Sequence, residues 1–541
     1  MADHVVTHGE ASEEKASTAA DASETTDADH HGDGSEERPA KLELAGWHFY
    51  AFCSYFVHTV LIPILFSLTI AQVMAPPFSS SPENSRVYNS RGISCSEQEI
   101  FLYQSMVNRT ITAGGSNFSP LHWTAISWGV GALLAVGALV PSAWHLDRGQ
   151  SPPLVLAAST AAGAFFCLLT GFSRVRWVFP VFIAAIAAAD TVAAAAHSHH
   201  LAVTSRGRHH FRRRGAVTGR LSLHATAAGS VGAAVIAAFT YHMMRRSDHR
   251  TSLWVVSIFS GLQWFAGILH AFTMGTPVAV PPRSPSEHGK FQQVTHVLSI
   301  FRYPHAAGSL VPVLLSSFSS MCVFSGAVLY VFGQLCMKPV SLLYLWLLYF
   351  LSPAVSLLAL HPLQLLLRAD AVKMQLLGFL MSAVAAGAGF YYRGEEWRRG
   401  HVLLAALLQS AAAGALHAFG RALASDCSPA GREGAVAVWA SWARTAGACA
   451  GFAVASAHPG EVGRTLGASF WAVAAGICVL IFGNISHAGG LRAAGLGKEE
   501  RAGHQSSDLH EMEQGRKSVH LDSSHNLAVV AMEENGGGVQ V

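Results

Sequence analysis

The segment "GREGAVAVWASWARTAGACAGFAV", residues 431–454, runs on from the charged pair Arg432-Glu433 into an otherwise apolar stretch with a guanidinium, Arg444, near its middle. A second long apolar stretch carries Asp190, 13 residues beyond Trp177. An ionised side chain in hydrocarbon is expensive, so it is kept where it faces a cavity or a partner. Arg444 lies ten residues beyond Gly434, which at helical rise is about 15 Å, half the depth of a bilayer core. A guanidinium grips a carboxylate in bidentate fashion and a carboxylate accepts from an ammonium. Arg444 and Asp190 would therefore suit a zwitterionic solute. The competing reading is structural: the two neutralise each other, or each pairs elsewhere.

Neutral polar and aromatic residues extend this set. Trp47, Tyr50, Ser54 and His58 follow helical spacing in the first apolar stretch, so Tyr50, Ser54 and His58 are candidates to touch a solute, with Trp47 as an interface anchor. Gln409, His417 and His224 occupy comparable places in later stretches. Packing between helices is the alternative role for each. A histidine could also relay protons, because its reference pKa of about 6.5 lies in the physiological range.

The elements that must position these groups follow from composition. Of 541 residues, 51% are hydrophobic and 13% charged, about half the charge density of an ordinary soluble protein. Twelve stretches are long enough to cross a bilayer, near 44–73, 122–144, 152–173, 177–201, 215–241, 252–274, 307–334, 340–366, 371–392, 401–424, 434–456 and 465–488. Lipid leaves no partner for open backbone groups, so each must be a helix. Residues 1–43 and 489–541 are polar and read as disordered cytosolic tails. The scattered net charge of +3 gives no case for nucleic acid, and no nucleotide loop, nucleophile elbow or metal-ligand cluster suggests an enzyme, a cofactor or a metal centre.

Sidedness comes from the loop between the first two stretches. It holds two glycosylation candidates, Asn108 in Asn-Arg-Thr and Asn117 in Asn-Phe-Ser, the latter weakened by Pro120. This loop is expected outside the cytosol. The segment "SHHLAVTSRGRHHFRRR", 198–214, is then a basic cytosolic loop. Cys95 stands alone in the polar loop and the other cysteines of apolar runs, Cys336 among them, read as packing residues, so no disulfide is expected.

An internal repeat organises the spans. With Gly434 laid on Gly215, an offset of 219, residues 214–235 match at nine positions, among them Gly215, Ser222, Thr226 and Gly232. The echo joins the fifth stretch to the eleventh, which divides the chain into six-helix halves at 44–274 and 307–488. The connection, 275–306, ends in "FQQVTHVLSIF", whose Phe291, Val294, Val297, Leu298 and Phe301 at spacings of three and four fit an interfacial helix or a plain linker. Pro63 and Pro353 should kink their helices.

Two stretches carry a resemblance. "WHLDRGQ", 144–150, resembles the loop motif of major facilitator transporters: Asp147 and Arg148 are kept, Gly149 comes one place early, and Ala143 replaces the opening glycine. "LELAGWHFYAFCSYFVHTVLIPILF" (42–66) and "SPAGREGAVAVW" (428–439) resemble segments of the autophagy-related vacuolar amino-acid effluxers, plant-type relatives in particular. The resemblance implies an all-α membrane protein with twelve transmembrane helices in two pseudo-symmetric six-helix bundles. It also implies a secondary-active transporter working by alternating access, with amino acids as cargo and the vacuolar membrane, or else the plasma membrane, as its place. A degenerate facilitator serving as a scaffold is the alternative. A metal-ion transporter, prompted by the 29 His residues and "HSHH", ranks lower because those residues read as loop and tail positions.

Overall fold

The computed structural model describes residues 41–74, 86–88, 94–148, 152–173, 175, 177–206, 211–246, 252–274, 290–336, 339–393, 397, 399–483 and 485. The tails and Gly149 lie outside the described residues.

Twelve helices cross the fold. The first six are Lys41–Met74, Pro120–Arg148, Pro152–Phe172, Phe179–Arg206, Phe211–Arg246 and Leu253–Thr273. The second six are Pro304–Gly333, Pro339–Leu366, Ala371–Tyr391, Arg399–Asp426, Glu433–Ala457 and Val462–Phe482. Eleven of these are long and apolar enough to span a membrane by composition, and the helix Glu433–Ala457 is not among them. Arg444, Ser441, Thr445 and several Ala and Gly residues dilute its apolarity. The helix can carry them because it packs against the second, fourth and seventh spans rather than standing in lipid.

The halves repeat one pairing pattern. First packs on fifth, second on fourth, third on fourth and third on sixth; seventh packs on eleventh, eighth on tenth, ninth on tenth and ninth on twelfth. Adding six to each number of the first set gives the second. Across the halves, the second span meets the eleventh and the fifth meets the eighth, and the same operation exchanges those two contacts.

Two glycines show why the internal echo exists. Gly232 of the fifth span lies against the backbone carbonyl of Phe52 in the first, and Gly451 of the eleventh lies against that of Phe318 in the seventh. A Cβ at either position would overlap the carbonyl. The two glycines are 219 residues apart, so the repeat preserves a close helix contact.

The first span is not a regular α-helix. Residues Val57–Phe66 form a π-helical segment with Pro63 inside it. Proline supplies no N–H and disrupts the ordinary ladder, and the wider turn accommodates the defect. His58 therefore sits on the irregular part of its span. Pro353 lies inside the helix Pro339–Leu366.

Several expectations require correction. Cys95 is bonded to Cys336, with Cα atoms 5.4 Å apart, so neither is a lone loop thiol or a packing residue. The segment 198–214 is not a simple loop: the fourth helix runs on to Arg206 and the fifth begins at Phe211. His197, His199 and His200 lie within that helix and are buried. The polar residues are tolerated there because they have partners: His200 Nε2 is 2.8 Å from Glu43 Oε1 and His197 stacks on Trp47.

The connection between halves contains the helix Lys290–Leu298 and a 3-10 turn, Ser299–Arg302. Val297 and Ile300 are buried, whereas Phe291, Leu298 and Phe301 are exposed, the two-sided character of an interfacial helix. On the other face, beyond the first span, lie the helix Glu97–Val107 and the hairpin Ile111–Ala113 with Ser116–Phe118. Asn108 and Asn117 are both exposed there. Ser119, which completes the second sequon, is buried and 2.7 Å from His122 Nδ1.

Candidate functional site

The site is built where the halves meet. Thr191 and Thr445 hydroxyls are 2.9 Å apart, and Ser441 donates to the Thr191 carbonyl at 2.8 Å. These bonds fix the fourth span on the eleventh at the residues adjoining Asp190 and Arg444. The result is a cavity of about 80 Å³ lined by Tyr55, His58, Tyr349, His417 and Arg444, among others. Residues from both halves contribute.

His58 and His417 stack across this boundary, rings 5.9 Å apart and nearly parallel at 8°. Tyr55 stands edge-on to both, at 5.1 Å and 4.9 Å. Asp190 Oδ2 is 3.7 Å from His58 Nδ1. The carboxylate thus faces the imidazole, and among the described residues Arg444 forms no ion pair or hydrogen bond. Asp190 and Arg444 are not in direct contact, though each acts on the other electrostatically. A half-buried guanidinium with no direct partner can receive an anionic group.

The remaining candidates divide. Tyr50 is buried away from the cavity, its hydroxyl 3.3 Å from that of Thr160 and its ring against His197. Ser54 donates to the Tyr50 carbonyl at 2.9 Å, a local helix bond. His224 bonds the Arg220 carbonyl at 2.7 Å. Gln409 accepts from Ser382 at 3.2 Å and faces another cavity, within the second half.

Arg421 is a buried cation that the sequence reading passed over. From the tenth span it donates through Nε to Ser222 Oγ and through Nη2 to the Ser222 carbonyl, both at 3.0 Å, and its guanidinium lies 5.1 Å from the Trp47 ring centre. It binds the second half to the fifth and first spans. It lies near the end of an apolar run, and only the partner helix shows that it is buried.

Contacts between the halves occur at both faces of the fold. On the face of residues 290–302, Asp147 accepts from the Gly434 and Ala435 N–H groups at the start of the eleventh helix, and His296 Nε2 lies 2.8 Å from the same carboxylate. A carboxylate at a helix N-terminus is well placed electrostatically. Arg148, its neighbour in the loop motif, lies over the Trp144 ring at 4.2 Å. On the face of residues 94–118, Tyr103 donates to the Pro459 carbonyl at 3.3 Å and the Cys95–Cys336 bridge joins the loop to the end of the seventh span. Burial raises the phenol pKa of Tyr103 above its ordinary value, which keeps it a donor.

Comparison with solved structures identifies the architecture. The human organic anion transporter MFSD10 (TETRAN) superposes with a TM-score of 0.53 at 14% identity, over 82% of this chain and 100% of that one. A bacterial homologue of the iron transporter ferroportin in its outward-facing state, in two structures, gives 0.51 and 0.52 at 12% and 13% identity, over 83% of this chain and 100% of each. The chain has the major facilitator fold. No family model and no curated protein matches the chain.

Proposed function

We propose that this chain is a secondary-active transporter that carries a small carboxylate-bearing solute through the boundary between its halves by alternating access. The observation that supports this reading is Arg444, a guanidinium at a cavity lined by both halves and held in no ion pair among the described residues. A solute carboxylate would occupy its donors. The cavity's small size, about 80 Å³, accords with contacts closing both faces, and rocking one half against the other would enlarge it.

Within that class we favour an amino acid. His58 lines the cavity and Asp190 lies 3.7 Å from it, and together they would supply an acceptor for an ammonium or a place for a coupled proton. The resemblance of 42–66 and 428–439 to vacuolar effluxers supports the same reading, and on it we infer a vacuolar membrane location with the tails in the cytosol. The organic anions named for the human neighbour would engage the same guanidinium. Metal cargo lacks a comparable basis, because among the described residues no group of three or more His, Cys, Asp or Glu is placed to hold an ion.

The test is flux in liposomes containing the full chain, with a panel of labelled amino acids, organic anions and neutral metabolites. Saturable movement of a carboxylate-bearing solute, lost in Arg444→Ala, is expected. Folded protein that moves no member of the panel would favour the scaffold reading.

A further inference from the structure

The second half holds a larger cavity, about 510 Å³, within the usual range for small-molecule sites. Its walls come from the seventh, eighth, ninth, tenth and twelfth spans and the adjoining connections, and no described residue of the first half lines it. Phe324 and Tyr349 line both this cavity and the central one. Their rings, 5.0 Å apart, partition the two spaces.

The cavity is chemically uneven. Arg393, Glu461 and Arg464 stand at the end formed by the ninth-to-tenth and eleventh-to-twelfth connections, and Glu461 pairs with Arg464. Two guanidinium groups there face one carboxylate among the described lining residues. Val323, Val331 and Leu345 make the rest largely apolar. Two donors interrupt that apolar wall. Trp346 and Gln409 are each 2% exposed, and the indole Nε1 and the amide Nε2 have no hydrogen-bond partner. The Gln409 oxygen already accepts from Ser382, which directs the amide nitrogen to another use. A buried donor left unpaired costs about 1–3 kcal/mol, and an acceptor on a bound molecule would remove that cost.

We propose that this cavity is a second ligand site, which takes a soluble amphipathic monocarboxylate. Its carboxylate lies at Arg393 and Arg464, and its apolar body reaches inward to present an acceptor to Trp346 and Gln409. The site is separate from the central one and does not depend on the proposed transport cargo. An occupant rests on the far side of the Phe324–Tyr349 partition, so binding there would bear on how the partition moves.

The probes are 9-oxodecanoate, decanoate and decanol, titrated by calorimetry against the full chain in phosphatidylcholine nanodiscs. Saturable binding of one 9-oxodecanoate per chain is expected, with decanoate weaker and decanol weaker still. Replacing Arg393 and Arg464 together by Gln should weaken both carboxylates by about tenfold or more. The pair Trp346→Phe and Gln409→Leu should abolish the preference for the oxo compound, and Arg444→Ala should leave binding intact. Equal affinity for decanol, insensitivity to both double substitutions, or loss of binding in Arg444→Ala would overturn the assignment. So would displacement of the probe when phosphatidylglycerol replaces phosphatidylcholine, which would make the occupant a bilayer lipid. Should the double variants misfold, a diazirine-bearing decanoate cross-linked to the unsubstituted protein decides the matter: adducts within 345–349 or 402–409 support the site, and adducts confined elsewhere refute it.

Discussion

Asp147 stands on the backbone of Gly434. Its Oδ1 accepts from the Gly434 N–H at 2.5 Å, its Oδ2 accepts from Ala435 at 3.0 Å, and a Cβ built on Gly434 would lie 2.7 Å from the Leu146 Cβ. The contact joins the second span to the eleventh, so it holds one half against the other. Glycine is required because the partner occupies the place of its side chain.

Removing the carboxylate should therefore open this face. Hydrogen bonds to a charged group contribute about 1.5–3 kcal/mol each. In Asp147→Ala, amide exchange over 431–438 should accelerate by about tenfold or more, and Gly434→Ala should have a similar effect by wedging the helices apart. Unchanged exchange in both variants would remove Asp147 from any role in closure.

The opposite face is secured covalently. The Cys95–Cys336 bond closes a sequence separation of 241 residues. Such cross-links typically stabilise by about 2–4 kcal/mol. Cys336→Ser should lower the unfolding temperature by several degrees, and so should reduction of the unsubstituted protein. Peptide mapping without reductant should recover the 95–336 linked pair. Two separate thiol peptides would contradict the bond.

Arg421 gives a third test through coupling. Its guanidinium donates to Ser222 Oγ and to the Ser222 carbonyl, both at 3.0 Å, so the residues act as one unit. Arg421→Met should lower the unfolding temperature, and adding Ser222→Ala should cost less than it does alone, by about 0.5–3 kcal/mol of coupling. Strict additivity would show that the bond to the Ser222 hydroxyl contributes nothing.

How much of this was legible in the sequence depends on the range of the interaction. Span length and number follow from local hydropathy, and the halves from the 219-residue echo, because Gly232 and Gly451 preserve the same close contact. Arg444 was visible as a cation in the middle of an apolar run. Arg421 was not, because a cation near a helix end ordinarily reaches water, and its burial depends on Ser222, distant in the chain. The Cys95–Cys336 pairing similarly joins segments that nothing local relates. His197, His199 and His200 looked like loop residues because polarity was read as exposure, whereas contacts such as Glu43–His200 allow the helix to continue. The π-helical segment around Pro63 exceeds what a proline alone announces, since a kinked α-helix would serve the same sequence.

Arg444 and Asp190 should separate cargo binding from its coupling. Arg444 faces the cavity without an ion pair, whereas Asp190 lies 3.7 Å from His58, close enough for the charge of one group to bear on whether the other holds a proton. Equal-pH exchange of labelled solute requires only binding and rocking; uphill movement requires the coupled ion as well. Arg444→Ala should reduce both by about 10–100-fold, the loss of a charge-assisted carboxylate contact. Asp190→Asn keeps the side chain's shape and removes its charge, so exchange should persist while acceleration by a proton gradient disappears. If Asp190→Asn abolished exchange as completely as Arg444→Ala, Asp190 would belong to the solute contact or to the fold. If gradient-driven flux survived unchanged, the proton would have to bind elsewhere.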